Sequence, residues 1–385
     1  MKTKKQIRVG LIIDGFFGGA NTQYGGYGKL ARDYICKYLS KQSLGLDIIV
    51  DVILGTSSRK MLAKKYVVDG INLYRLPKSD FFAKRFLKRK NYDIYLSIEL
   101  VDERVLLLEK ESNKKLILWI QDPRPWYEWE EINTVRLLPE ECYYRQEIYD
   151  TVHDWYKRNK IVFVSQAEFL NKKAIDLYNL GNDVPIKYLP NPIEIDYTFD
   201  VSSYEKKDKI IFLGRIDSVK RGWLFCEIAK QLPEYDFFVL GKYQHESDRM
   251  KSILEEYNKL PNLTFVGHVD GDVKTQFLKD AKILVNTSIH EALPVSFLEA
   301  LSYGTLIVSN RNPDNLTEMF GIWTGDILGD GWDKVSLYTQ AIKKIIEDEP
   351  QRKKLSKNAI EYINNIHNIE KFQKNIVDII KSEIT

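Results

Sequence analysis

The sequence predicts an α/β protein of two doubly wound domains in tandem, and three observations predict it. Short apolar runs alternate with longer amphipathic segments along nearly the whole chain, the pattern that puts helices on both faces of a parallel sheet. The pattern halts at Pro190-Asn191-Pro192 and starts afresh beyond a polar stretch, so there are two such series. A length of 385 residues suits two domains of ordinary size.

The first series predicts buried strands at 7–13, 47–53, 93–98, 115–120 and 160–164, each bounded by glycine, proline or charge, with a helix from Lys29 to Leu39 among the segments between. The polar segment 193–208 has no apolar periodicity and reads as a linker. The second series predicts strands at 209–214, 236–240, 263–266, 282–286 and 305–309. The amphipathic stretch from Ile369 to Ile380 predicts a terminal helix. The expected division is therefore 1–192, a linker at 193–208, 209–364, and a tail at 365–385 whose helix packs back on the first domain. In open parallel sheets ligands bind beyond the carboxyl ends of the strands, so the expected site is a central cleft that both domains face.

Composition is that of a globular chain, with 44% hydrophobic and 29% charged residues, which excludes a disordered or fibrous protein. No run approaches the roughly 18 apolar residues of a membrane span, and the apolar part of the start, Val9 to Ile13, is too short for a signal peptide. Cys36, Cys142 and Cys226 are too widely spaced for a disulfide framework or a zinc site. The expected location is cytoplasmic. The net charge of +3 conceals an asymmetry: residues 1–90 carry 19 Lys/Arg against 6 Asp/Glu, residues 91–192 carry 13 against 18, and residues 193–385 carry 25 against 30. A basic first quarter suggests an anionic partner, either a phosphate-bearing ligand, a nucleic acid or a membrane face, beside the plainer reading of a solvated lysine-rich surface.

Two constellations carry chemistry. His290-Glu291-Ala292-Leu293-Pro294-Val295-Ser296-Phe297-Leu298-Glu299-Ala300 follows a predicted strand and runs into a helical pattern. The amides of Leu293, Val295 and Ser296 fall at the helix start, where free N–H groups and the dipole attract phosphate. Carboxylates beside an anion site are favourable when they accept hydrogen bonds from neutral hydroxyls, which fits a sugar: Glu291 on ring hydroxyls and Glu299 on a ribose. Two glutamates complementing a helix dipole are the plainer reading. Phe212-Leu213-Gly214-Arg215-Ile216-Asp217-Ser218-Val219-Lys220 places Arg215 and Lys220 at a strand's carboxyl end, where both suit a diphosphate and neutralise charge as it departs.

In this order and spacing the two constellations resemble the retaining glycosyltransferases of family four, which have the GT-B fold of two tandem Rossmann-like domains. The Gly-Arg…Lys run matches the family's diphosphate motif, and Glu291 and Glu299 match its Glu-x7-Glu motif, with Leu293-Pro294 and Glu299-Ala300 also in pattern. Val164-Ser165, Leu189-Pro190-Asn191-Pro192, Val239-Leu240-Gly241 and Val266-Gly267-His268 extend the resemblance over most of the chain. It implies that Arg215 and Lys220 hold a donor pyrophosphate, Glu291 the donor sugar and Glu299 the nucleotide ribose. Tyr24-Gly25-Gly26-Tyr27-Gly28 follows the first strand, and the family's Gly-Gly loop implies that Gly25 and Gly26 lie against the donor diphosphate or the acceptor. A dinucleotide site is disfavoured, because no G-x-G-x-x-G with its acidic partner is present.

One departure concerns the turn after the strand at 115–120. Many members have His-Asp there, whereas this chain has Gln121-Asp122. Glutamine hydrogen-bonds but cannot shuttle a proton. The expected reaction is therefore front-face transfer in which the leaving phosphate takes the acceptor proton, with Asp122 an orienting group or a supplementary base. Residues 119–156 are rich in aromatics, among them Trp119, Trp126, Tyr127, Trp129, Tyr143, Tyr144, Tyr149, Trp155 and Tyr156. Trp126, Trp129 and Gln121 are the acceptor-binding candidates, against helix packing for most of the rings. Residues 81–90 (FFAKRFLKRK) have apolar and basic positions at helical spacing, suited to an anionic membrane surface or to ordinary packing on a sheet.

The sequence thus predicts a metal-independent, retaining glycosyltransferase with no cofactor. It takes a nucleotide-sugar donor and a saccharide acceptor, lipid-linked or free, in surface-glycan synthesis, and is expected in the cytoplasm, either free or peripheral on the inner face of the plasma membrane. A nucleotide-sugar epimerase or phosphorylase on the same fold, and a non-catalytic binding protein, are the alternatives. The five histidines show no metal-ligand spacing, and no recognition motif for nucleic acid is present.

Overall fold

The computed structural model describes residues 6–22, 25–40, 47–55, 65–100, 102–243 and 248–384. Tyr24, of the glycine-rich run after the first strand, lies outside them. The chain divides into two compact units, one of residues 1–123, 145–192 and 369–385, the other of residues 124–144 and 193–368.

The first unit is built on an eight-stranded sheet: β1 (Ile7–Ile13), β2 (Ile48–Leu54), β3 (Lys65–Val68), β4 (Ile71–Arg75), β5 (Ile94–Ile98), β6 (Leu116–Ile120), β7 (Ile161–Ser165) and β8 (Ile186–Tyr188). Their spatial order is β3-β4-β2-β1-β5-β6-β7-β8. All neighbouring pairs are parallel except the β3–β4 hairpin at the edge. Near-continuous runs such as IRVGLII and LILWI form strands here because a parallel sheet covered on both faces buries every side chain. The helix Gly26–Lys29 continues through Leu30–Leu39 in wider π turns, and its Leu30, Tyr34, Ile35 and Leu39 pack on the sheet. The terminal helix Ile369–Ile384 sets Phe372 against Trp119, ring centres 5.5 Å apart. Its Glu383 is held by Lys115 and Lys187, each at 2.8 Å.

The second unit is wholly parallel. Its strands are β9 (Lys207–Leu213), β10 (Asp236–Leu240), β11 (Leu263–Gly267), β12 (Ala281–Asn286), β13 (Leu306–Ser309) and β14 (Gly321–Trp323), in the order β11-β10-β9-β12-β13-β14. This is a doubly wound sheet whose strand order reverses between β9 and β12.

Two stretches sit differently from their sequence reading. Residues 193–206 are built into the second unit rather than hanging as a linker: Ile193 N donates to His367 O at 2.8 Å, and buried Lys206 donates through Nζ to the carbonyls of Leu278, Lys279 and Ala281 and to Thr305 Oγ1. Lys206 thereby satisfies the last carbonyls of the helix Gly271–Asp280, a role that composition does not reveal. Residues 124–144, which follow the first-domain strand β6 in sequence, belong to the second unit and place Trp129, Ile132 and Val135 in its core.

The carboxyl ends of β9 and β10 approach so closely that a β-carbon on Gly241 would stand 1.8 Å from Gly214 O. Gly241→Ala should therefore destabilise the fold by roughly 1–3 kcal/mol, the usual penalty of overpacking, read as a lowered melting temperature. Gly26→Ala, with no neighbouring atom within 4 Å of the added carbon, should leave melting unchanged.

Candidate active site

Both chemical motifs issue from the reversal point of the second sheet, Gly214 to Arg221 from the end of β9 and Thr287 to Pro294 from the end of β12. Glu291 Oε1 accepts hydrogen bonds from Lys220 Nζ at 2.5 Å, Ser288 Oγ at 2.6 Å and Asn286 Nδ2 at 2.8 Å. Burial alone would raise the Glu291 carboxyl, but the Lys220 charge and these three donors outweigh it and hold the group below the ordinary carboxylate range. The structure thus brings together Glu291 and Lys220, two residues 71 positions apart that the sequence singled out separately.

Arg215 is exposed and lies 3.3 Å from Asp217, whose Oδ1 caps the amide of Lys220 at 2.8 Å. Glu299 sits in the helix Val295–Leu301 and pairs with Lys274 at 2.9 Å, a lysine outside both sequence motifs. The first ladder donor of this helix is Phe297 N, to Pro294 O, so the amides of Val295 and Ser296 precede the ladder, while Leu293 is buried.

The loop after β12 is fixed residue by residue. Arg221, fully buried at positive φ, donates to the carbonyls of Thr287, Ser288, Ile327 and Gly329. Burial lowers its pKa to about 10, so it stays charged at neutral pH. Arg311 donates to Ile289 O and pairs with Glu131 at 3.0 Å, and His290 Nδ1 lies 2.6 Å from Glu128 Oε2.

In the first unit, Gln121 and Asp122 follow β6. Both amides donate to Glu99 Oε2 at 2.8 Å, while Tyr178 donates to Glu99 Oε1 at 2.5 Å. The Gln121 side chain is only 2% exposed and forms a reciprocal amide pair with Asn191, so its polar atoms are committed inside the unit rather than presented to an acceptor. Asp122 is half-buried. Gly25 and Gly26 are exposed, with no described atom within 4 Å of an added β-carbon. The glycine the fold requires is Gly28, where a β-carbon would lie 2.7 Å from Phe17 N. Of the two tryptophan candidates, Trp126 is 52% exposed, but Trp129 is 2% exposed and packed in the second unit's core, which removes it as an acceptor contact.

A chain with two such sheets and this strand-end site has the GT-B fold. Sucrose-phosphate synthase of Thermosynechococcus elongatus has a similar structure, with a TM-score of 0.74 at 13% identity over 98% of both chains. HepE of Anabaena, solved in complex with UDP-glucose, gives 0.67 at 13% identity over 98% of this chain and all of its own. Residues 195–362, within the second unit, match the family model described as glycosyl transferases group 1. A Campylobacter jejuni alpha-1,4-N-acetyl-D-galactosaminyltransferase, named for a GalNAc-containing undecaprenyl diphosphate saccharide, is 28% identical over 45% of this chain and 48% of its own. The chain spans about half the length of the curated relatives it matches.

Asp14, at the carboxyl end of β1, titrates far from its ordinary range. Burial and the nearby Asp102 raise it from 3.8 to about 6, with Arg145 opposing and Glu103 adding. Between these values the folded chain holds a proton that the unfolded chain has released, so this group's contribution to stability falls as pH rises from about 4 to about 6. Asp14→Asn should abolish that slope, as read from melting temperatures across this range.

Proposed function

We propose that the protein is a retaining glycosyltransferase that moves a sugar from a nucleoside diphosphate-sugar to a saccharide acceptor without a metal ion. The observation that carries this reading is the Lys220–Glu291 pair at the reversal point between β9 and β12. A cation and a carboxylate sharing one site suit a ligand that is anionic at one end and hydroxylated at the other. Arg215 and Lys220 would take the diphosphate, Glu291 the sugar hydroxyls, Glu299 the ribose, and the amides of Val295 and Ser296 a phosphate oxygen. The family match within the second unit and the UDP-glucose complex of a structural neighbour support a nucleotide-sugar donor.

In the reaction, the bond from the anomeric carbon to the leaving phosphate oxygen breaks and a bond to the acceptor oxygen forms on the same face. The acceptor proton passes to the departing phosphate, whose charge Arg215 and Lys220 neutralise. Asp122, its backbone fixed by Glu99, is the group proposed to orient the acceptor hydroxyl. Gly25 and Gly26 would let donor or acceptor approach the backbone, and Trp126 would stack on a sugar face.

Glu291→Gln, which preserves size, should lower turnover about 100-fold or more, and Arg215→Ala should do likewise by removing an exposed cation with little effect on melting. The check is nucleoside diphosphate released with the cognate donor; wild-type rates in either variant would sink the assignment.

The acceptor is proposed to be lipid-linked. The Campylobacter relative's name supports this, as does the helix Asp80–Lys90, which exposes Phe81 and Phe82 at 69% and 60% beside exposed Lys84, Arg85, Lys88 and Arg89. Among the described residues no helix is long and apolar enough to cross a membrane, so contact would be peripheral. The protein should sediment with phosphatidylglycerol vesicles and not with phosphatidylcholine ones. Each basic residue near the surface contributes about 1 kcal/mol, so replacing these four with Gln, or both phenylalanines with Ser, should release it.

A further inference from the structure

Residues 124–144 are attached to the second unit through its strand-end loops, two of which carry the donor motifs. Glu128 meets His290, Glu131 meets Arg311, Glu140 accepts from Ser218 Oγ, and Asp330 Oδ1 accepts the amides of Arg136 and Leu137 at 2.9 Å. Three of these contacts involve acidic side chains of the segment reaching into the loops that end β9, β12 and β13. Core packing alone would need only Trp129, Ile132 and Val135.

The Glu128–His290 contact is the most telling. Glu128 is 6% exposed and His290 4%, so two polar groups have been desolvated to meet at 2.6 Å. Burying two polar groups together gains little stability over apolar residues of similar size, so what the contact supplies is a fixed geometry. His290 directly precedes Glu291. One of these neighbours is held by Glu128 and the other by Lys220, Ser288 and Asn286, so the peptide between them is fixed from both sides.

We propose that Glu128 is a positioning residue for the donor sugar, acting through His290 on the carboxylate of Glu291. The segment that encodes it lies between strands of the first sheet in sequence yet tunes the sugar pocket of the second unit. This rests on the donor reading above. Glu128 meets His290, the chain neighbour of the sugar carboxylate Glu291, so its influence should fall on the sugar and spare the nucleotide.

The test is isothermal titration of wild type, Glu128→Gln, His290→Asn and the double variant with paired probes: UDP and UDP-glucose, UDP and UDP-N-acetylgalactosamine, GDP and GDP-mannose, and ADP and ADP-glucose. With the pair that wild type binds, Glu128→Gln and His290→Asn should each weaken the nucleotide sugar about 10-fold or more relative to its nucleoside diphosphate. The double variant should be no worse than the worse single one. Equal weakening of both probes, additive losses, unchanged binding, or unfolding of both single variants would reduce the pair to a structural contact and overturn the proposal. A wild type that binds no nucleotide sugar in the panel would instead overturn the donor reading, and this inference with it.

Discussion

Arg221 is completely buried, and its guanidinium donates to four backbone carbonyls from two loops that are distant in sequence. Everything at the strand ends of the second unit depends on that arrangement. The residue stands at positive φ just ahead of the helix Gly222–Gln231, with its amide tied back to Asp217 O. The chain can therefore turn from β9 into the helix while the side chain runs inward beneath the loop after β12. A buried cation is costly to desolvate, and here the carbonyl dipoles of Thr287, Ser288, Ile327 and Gly329 offset that cost, with the Asp330 charge adding to them.

Around this anchor other cations meet carboxylates. Lys220 is paired with Glu291, Lys274 with Glu299 and Arg215 with Asp217. The pairs differ in exposure, and that difference sorts their roles. The Lys220–Glu291 pair is largely buried, so its attraction is poorly screened and the Glu291 carboxylate stays ionised. Arg215 is largely exposed, so its contact with Asp217 is weak and easily exchanged for a phosphate. One group is placed to hold a ligand in a fixed orientation, the other to capture charge.

How far this was legible in the sequence depends on whether a residue's partner is close by in the chain. The buried parallel strands could be read directly, because a run such as IRVGLII leaves no polar face to expose. The edge hairpin β3–β4 is partly polar and the strands β8 and β14 are three residues each, so none carries an apolar run that reads as a strand. Arg215, Lys220, Glu291 and Glu299 stood out because their motifs are local. Arg221 was hidden beside them, since its partners are carbonyls, which carry no side-chain signature. Glu99, Lys274 and Glu128 were hidden for a related reason: each finds its partner through a tertiary contact. Trp126 and Trp129 looked alike in sequence, yet three positions apart on a short helix one ring is exposed and the other is core.

The two units solve the same problem with opposite hydrogen-bonding groups. In the first sheet, β1 and β5 meet at the reversal of strand order, and Glu99 sits at the end of β5 with positive φ. Its buried carboxylate collects the amides of Gln121 and Asp122. In the second, Arg221 lies beyond β9, also with positive φ, and collects carbonyls. Each device fixes backbone at a strand end by satisfying groups that a turn leaves unpaired, and each requires a non-glycine residue to adopt a left-handed conformation. The choice of group follows from what the turn leaves over: amides after β6 call for an acceptor, and carbonyls after β12 call for a donor. A buried ionisable side chain in this setting is best understood as a backbone clamp, and the chemistry proposed for Asp122 and Glu291 is carried by the side chains that the two clamps hold in place.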